Sequence, residues 1–130
     1  MSNDIGNISG DVLRGFIDIM VLRMLKGADS YGYEISKNIT ALSQNDFTLK
    51  DTTLYSAFAR LEKAGHVTSY PGTQTSGGRA RTYYTLTTNG ANYYHQKCSE
   101  WQALQQLIPK FILDQNKPTQ KNGDEKDGRN

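Results

Sequence analysis

Cysteine, histidine and long apolar runs are scarce in this chain of 130 residues, and each scarcity excludes a class of protein. One cysteine, Cys98, cannot form an internal disulfide, and with only two histidines the chain has no recognisable set of metal ligands. No stretch approaches the ~18 apolar residues of a membrane span, and the N-terminus lacks the basic start and apolar run of a signal peptide. We therefore expect a cytoplasmic protein without a metal or other cofactor.

Catalytic signatures are missing as well. The sequence contains no G-x-S-x-G, no P-loop, no H-E-x-x-H and no cysteine with a plausible activating histidine. We expect that the protein is not an enzyme.

Charge of one sign is only slightly in excess, with 15 lysines and arginines against 13 aspartates and glutamates. A net charge of +2 is too small to indicate a polyanionic partner. The segment from Lys50 to Arg81 differs, because it carries five basic residues against two acidic ones, a net of +3. A case for nucleic-acid binding therefore depends on this segment.

Three short helices are predicted before residue 66. The first, residues 11–26, is apolar on most of its circumference and needs cover on more than one side. Ser30 is a candidate N-cap for the second, "YGYEISKNITAL". The third extends from about Asp51 to Ala64, with Gly65 as its C-terminal break. Its apolar stripe consists of Leu54, Ala57, Phe58 and Leu61.

Two strands and a last helix follow. "HVTSY" and "ARTYYTL" are rich in Val, Thr and Tyr, and the glycine-containing "PGTQTSGGR" between them predicts a projecting hairpin. Thr87 is a candidate N-cap for a helix that Pro109 should end or kink. The apolar stripe of this helix consists of Tyr94, Cys98, Trp101, Leu104, Ile108 and Phe111 or Ile112. Residues 115–130 have no aliphatic or aromatic side chain and are expected to be disordered.

Three helices followed by a hairpin is the order of a winged helix-turn-helix, in which the third helix enters the major groove of DNA and the hairpin, or wing, lies along the backbone. The fold class is then mainly α with a β-hairpin. Thr53 and Ser56 can bond a base edge or phosphate, Tyr55 and Lys63 can hold phosphate, and Arg79 and Arg81 can reach phosphates or the minor groove. The predicted DNA-binding residues are Tyr31, Lys37, Lys50, Thr52, Thr53, Tyr55, Ser56, Arg60, Lys63, Gly78, Arg79 and Arg81.

The competing interpretation is that the third helix is an ordinary solvated helix, because amphipathic helices are the default at protein surfaces. The basic wing that follows the helix favours the DNA-binding interpretation.

Three separated motifs resemble the PadR family of bacterial transcriptional regulators. They are "YGYEI" at residues 31–35, "TLYSAFARLEKAGHV" at 53–67 and "GGRARTYYTLTTNG" at 77–90, and the likeness covers about Leu13 to Trp101. The C-terminal helix with its tryptophan looks like the small LmrR-like, multidrug-responsive subgroup. Lys50 departs from the family pattern, in which a small polar cap is usual at this position, so the cap of the third helix is expected to move to Asp51.

The resemblance implies a homodimeric repressor of an inverted repeat in double-stranded promoter DNA. Its last helix would pack on the first and last helices of the other subunit, through Tyr94, Cys98, Trp101, Leu104 and Ile108. The implied domains are an N-terminal extension (1–10), a winged helix-turn-helix (11–87), a C-terminal dimerisation helix (88–114) and a tail (115–130).

The subgroup resemblance also implies a planar aromatic ligand at the dimer interface, held by Phe16, Ile19, Arg23 and Trp101. Arg23 replaces a neutral polar residue of the drug-binding relative, which favours anionic over cationic aromatics. A tryptophan in a helical stripe such as Trp101 is, however, more often plain interface core. Two alternatives to a ligand-responsive repressor remain open: a regulator without a small-molecule ligand, and a winged helix that contacts only proteins.

Overall fold

A bundle of short helices precedes a small antiparallel sheet in the computed structural model, which describes residues 4–76 and 79–112. A 3-10 turn (Asp4–Asn7) is followed by α1 (Gly10–Arg14), α2 (Ile17–Met24), β1 (Ser30–Tyr31), α3 (Gly32–Leu42), α4 (Asp51–Lys63), β2 (Val67–Ser76), β3 (Arg79–Leu86), α5 (Thr88–Leu107) and a 3-10 turn (Ile108–Phe111). The predicted fold class is confirmed: the chain is mainly helical, carries a small sheet and ends in a helix.

The first predicted helix is wrong as a single element, because it breaks between α1 and α2. Ser9 caps α1 by accepting a hydrogen bond from the Val12 N–H, and the Phe16 N–H closes the helix on the Leu13 carbonyl at 2.7 Å. Glycine inside a helix costs about 1 kcal/mol relative to alanine, so interrupting the helix at Gly15 sacrifices little helical stability.

The predicted N-cap of the second helix is also wrong. Ser30 lies in β1 and pairs with Tyr84, so α3 starts at Gly32 with Tyr31 as its N-cap. The Ser30 hydroxyl donates instead to the Glu34 carboxylate in the first turn of α3. Tertiary strand pairing therefore displaces the local cap.

The third predicted helix is confirmed as α4, and Gly65 breaks it. Gly65 has φ of +83°, and the His66 N–H bonds to the Leu61 carbonyl at 2.9 Å. This is the left-handed C-terminal turn that glycine adopts without steric cost.

The wing is the antiparallel pair β2 and β3, which registers Val67 with Leu86 and Ser76 with Arg79 around an irregularity between Pro71 and Thr75. The strand β1 adds to the free edge of β3, giving the order β1-β3-β2. The sequence predicts only the two strands of the hairpin, because a two-residue strand has no periodicity.

The α5 helix starts as predicted. The Thr87 hydroxyl accepts a hydrogen bond from the Gly90 N–H at 2.9 Å and donates one to the Gly65 carbonyl at 2.7 Å. Pro109 follows the end of α5 and lies in the 3-10 turn, as expected for a residue that cannot donate within a helix.

The core unites α2, α3, α4 and the sheet around Phe58, which stacks on Tyr84 with ring centroids 3.9 Å apart. The chain divides into two units, Met1–Cys98 and Ser99–Asn130, and this core belongs to the first. The predicted domain limits remain predictions, and the predicted tail lies outside the described residues.

Candidate nucleic-acid interface

The α4 helix presents a fixed polar face, because its other face is anchored in the core. Leu54, Ala57, Phe58 and Leu61 are each no more than 1% exposed. The helical period then directs the predicted contact residues outward: Thr53 is half-buried, and Thr52, Ser56, Arg60 and Lys63 are exposed.

The first turn of α4 has no side-chain cap. Lys50 is the N-cap residue, with extended backbone and no capping hydrogen bond, and Asp51 is the first helical residue. The expectation that Asp51 would cap the helix is therefore wrong. Lys50 leaves the first N–H groups of α4 without a side-chain acceptor from this position, which is compatible with an external acceptor there.

A groove of about 580 Å³ lies on the wing side of α4, and we call it the wing groove. Tyr55 contributes to it from α4, and its ring is half-exposed. The Arg81 guanidinium, from β3, lies over the Tyr31 ring at 4.3 Å. The residues that form this groove are Tyr31, Gly32, Tyr33, Tyr55, Arg81, Thr82 and Tyr84.

A second groove of about 630 Å³ lies between the N-terminal segment and the start of α4, and we call it the N-terminal groove. It contains Arg14 beside Lys50 and Ser56. Arg14 bonds Asp11 at 3.3 Å, but both side chains are largely exposed, so this ion pair contributes little. Sequence analysis missed Arg14, since nothing in the local pattern brings residue 14 to α4.

Arg60 is the predicted contact residue whose charge is already engaged. Its guanidinium donates to Asp18 Oδ1 at 2.6 Å, and the Tyr93 hydroxyl donates to Asp18 Oδ2 at 3.0 Å. The Asp18 side chain is only 12% exposed. This carboxylate joins α2, α4 and α5, so Arg60 has a structural role. The sequence signal for this role was an acidic residue, Asp18, within the apolar stretch "FIDIM", because a buried carboxylate needs a partner.

Of the remaining predicted DNA contacts, Lys37 lies apart from these grooves. Lys37 is exposed on α3. Gly78 lies outside the described residues, as does the side chain of Arg79.

The residues predicted for ligand binding are only partly brought together. Ile19 and Arg23 border an apolar groove of about 380 Å³ together with Tyr94. Phe16 is half-buried and does not border it. Burial, followed by a hydrogen bond with Cys98, raises the pKa of Tyr94. In the second unit, Trp101 is 44% exposed.

The described part of the chain contains no cluster of three or more metal-ligating side chains. Its helices are also too short or too polar to cross a membrane.

Comparison with known proteins identifies the family. Residues 21–96 match the model of the transcriptional regulator PadR-like family. The chain is 51% identical to a transcriptional regulator from Clostridium thermocellum of known structure, covering 82% of this chain and 99% of that one with a TM-score of 0.72. It is 34% identical to a PadR family transcription regulator from Clostridium difficile, covering 74% and 97% with a TM-score of 0.61.

A curated relative from Lysinibacillus sphaericus carries no functional name, and it is 37% identical over 81% of this chain and 95% of its own length. The family is one of transcription regulators and not of enzymes, in agreement with the sequence-based expectation. The three motifs that resemble PadR proteins, the family model and the two structures agree. This chain belongs to the PadR-like family of transcriptional regulators.

Proposed function

We propose that this DNA-binding regulator is a homodimeric repressor that recognises an inverted repeat in promoter DNA. The observation that carries the proposal is the polar face of α4, which includes Thr52 and Ser56. This face points outward because four residues on the opposite face of the helix are buried in the core. A helix of this kind can enter the major groove and contact base edges, while cations beside it contact phosphates. Lys50 and Arg14 border the N-terminal groove, and Arg81 borders the wing groove.

Fluorescence anisotropy with the DNA upstream of the gene tests this proposal, with a scrambled duplex of equal length as control. We expect the native duplex to bind at least about 10³-fold more tightly. Equal, steeply salt-dependent binding to both duplexes would reveal only a basic surface and would overturn sequence-specific recognition.

A variant of the wing distinguishes a DNA-binding regulator from a winged helix that contacts only proteins. Replacing Arg79 and Arg81 together by alanine weakens DNA binding in a DNA-binding regulator, because phosphate neutralisation supplies most of the non-specific affinity. Unchanged DNA affinity in this double variant would favour the protein-contact alternative.

Exposed apolar residues at the end of the described chain support a homodimer. Leu107 and Ile108 are 49% and 43% exposed, and Phe111 and Ile112 are more exposed still. Several exposed large apolar side chains within six residues are typical of an interaction site. A two-fold axis would set two α4 helices about one DNA turn, roughly 34 Å, apart.

Release by a planar aromatic ligand is a second proposal, as in the LmrR-like subgroup. It is favoured by the apolar groove that Ile19 and Arg23 border in the first unit and by the exposed fraction of the Trp101 indole in the second. An indole face attracts planar and cationic rings. Arg23 favours carboxylated aromatics within this class.

Trp101 fluorescence tests the ligand proposal directly. A sensor shows quenching by planar aromatics and loses DNA affinity on titration, whereas a simple repressor shows neither. The preference for carboxylated over cationic ligands should vanish in Arg23→Ala, and equal binding of both ligand classes to the wild type would contradict the role of Arg23.

A further inference from the structure

The wing groove contains hydrogen-bond donors from three separate elements. Tyr33 comes from the first turn of α3, Tyr55 from α4 and Arg81 from β3. Tyr33 is 70% exposed, and sequence analysis did not select it. Residues so far apart in the chain converge here because β1 pairs with β3 and places the start of α3 beside the wing.

The position of Tyr55 in the groove is fixed by a glycine. A Cβ atom added at Gly32 would overlap the Tyr55 hydroxyl, and it would lie 2.9 Å from the ring carbon that carries this hydroxyl. The Tyr55 ring also meets the Phe58 ring edge-on, with centroids 5.4 Å apart. The hydroxyl therefore rests against the start of α3, while half of the side chain remains open to solvent.

Arg81 is held in the groove by aromatic contacts. Its guanidinium carbon lies 4.3 Å from the centroid of Tyr31, and Tyr31 in turn packs against Tyr83 at 5.3 Å. Within residues 4–76 and 79–112, no carboxylate lies in ion-pair contact with Arg81. A guanidinium that stacks on a ring keeps its N–H fork available for an oxyanion.

The acidic residues closest in sequence to the groove walls do not border the groove, and each accepts a hydrogen bond from a hydroxyl group. The Glu34 carboxylate accepts a hydrogen bond from Ser30, and Asp29 Oδ2 accepts one from the Tyr70 hydroxyl at 2.6 Å. The groove thus combines one cation with four tyrosines, of which Tyr33 and Tyr55 are the exposed ones. This set of donors fits a tetrahedral oxyanion with several acceptor oxygens, such as a phosphodiester.

We propose that the wing groove binds a single phosphate of the DNA backbone, with Arg81 supplying the charge and Tyr33 and Tyr55 supplying neutral hydrogen bonds. The proposal rests on the proposed DNA-binding function and adds Tyr33 as a contact residue. It also gives Gly32 a role, since this glycine leaves room for the Tyr55 hydroxyl.

Salt dependence separates the charged from the neutral contacts. The probe is a fluorescein-labelled duplex of mixed sequence and about 30 base pairs, so that a phosphate contact is measured without knowledge of the operator. Each phosphate that a cation neutralises contributes about 0.9 to the slope of log affinity against log salt. Arg81→Ala should lower this slope by about 0.9 for each bound subunit, whereas Arg81→Lys should keep the slope and lose affinity.

The hydroxyl variants should act differently. Tyr33→Phe and Tyr55→Phe should each weaken binding by about tenfold at every salt concentration and leave the slope unchanged, because they remove a neutral donor to a charged acceptor. Tyr33 is exposed, so its variant is expected to fold normally. Lys26→Ala is the matched control for loss of a charge, and Thr40→Val, on α3 but outside the wing groove, is the matched control for loss of a hydroxyl.

The outcomes distinguish this proposal from the function on which it rests. Wild-type binding with an unchanged slope in Arg81→Ala and unchanged affinity in both phenylalanine variants would overturn the phosphate site and leave DNA binding intact. A wild-type chain with no salt-dependent affinity for any duplex would overturn both. Effects in the two control variants as large as those in the groove variants would also reject the site, because they would show a diffuse charge effect.

Discussion

At the scale of single residues, the Asp18 carboxylate determines how α2, α4 and α5 meet. It is largely buried and has one partner per oxygen, Arg60 and Tyr93. A buried charge is tolerated only while its partners remain, and removing one partner costs more than the pair itself contributes. Arg60 thus stabilises the orientation of α4.

Replacing Arg60 by methionine should lower the free energy of unfolding by about 2 kcal/mol, because it leaves a buried carboxylate with a single hydrogen bond. Urea unfolding followed by circular dichroism measures the change. Lys63→Met, an exposed change on the same helix, should cost less than about 0.5 kcal/mol. Equal losses in the two variants would mean that the Asp18 contact contributes no stability.

Buried tyrosines should make the protein sensitive to alkali. Burial, and secondarily the charge of Glu62, raises the pKa of Tyr84, and burial followed by the hydrogen bond to Asp18 raises the pKa of Tyr93. A raised folded-state pKa stabilises the protein fully below the unfolded value of about 10, and this stability is lost as pH rises through the folded value. The melting temperature should therefore fall above about pH 10, and less steeply in Tyr84→Phe. A wild-type profile that is flat to pH 11 would refute this.

At the scale of elements, α5 begins in close contact with the turn after α4. A Cβ atom at Gly90 would overlap the His66 carbonyl oxygen and approach a Leu86 methyl group to 2.8 Å. Gly90→Ala should therefore cost about 2–3 kcal/mol of stability by forcing backbone apart. Gly10→Ala is the matched control, since no atom lies within 4 Å of its added Cβ. Thermal unfolding measures both variants, and equal melting temperatures would contradict the expected clash at Gly90.

The elements that sequence predicts well are those whose signal is local. The apolar stripe of α4, its end at Gly65 and the Thr87 cap all follow from residue type and spacing. The break at Gly15 also has a local cause, but the apolar pattern continues across it and hides it in the sequence. The displacement of Ser30 from its cap does not follow from the local pattern, because strand pairing with Tyr84 competes with an acceptable local cap. For the same reason the wing groove could not be predicted: its residues meet only after β1 pairs with β3.

At the scale of the whole molecule, the apolar residues at the end of the described chain predict self-association. We expect light scattering after gel filtration to give twice the chain mass of 14.6 kDa. Phe111→Glu combined with Ile112→Glu should give a monomer, because charged residues are expelled from an apolar interface. Lys110→Glu, an adjacent exposed change, should leave the mass doubled. A monomeric wild type would contradict the dimer.

One hydroxyl, that of Thr87, holds the carbonyl of Gly65 and the amide of Gly90 together. The chain therefore leaves the helices after α4 and returns to them at the same point, so both ends of the wing are anchored at one position. Tyr84 remains packed on Phe58 of α4, so it is the part of the wing distal to Tyr84 that can change in length and sequence without moving α4 or α5. We expect evolution to adjust DNA preference in this family by exchanging wing tips, and grafting a tip from a relative should transfer contacts without costing stability.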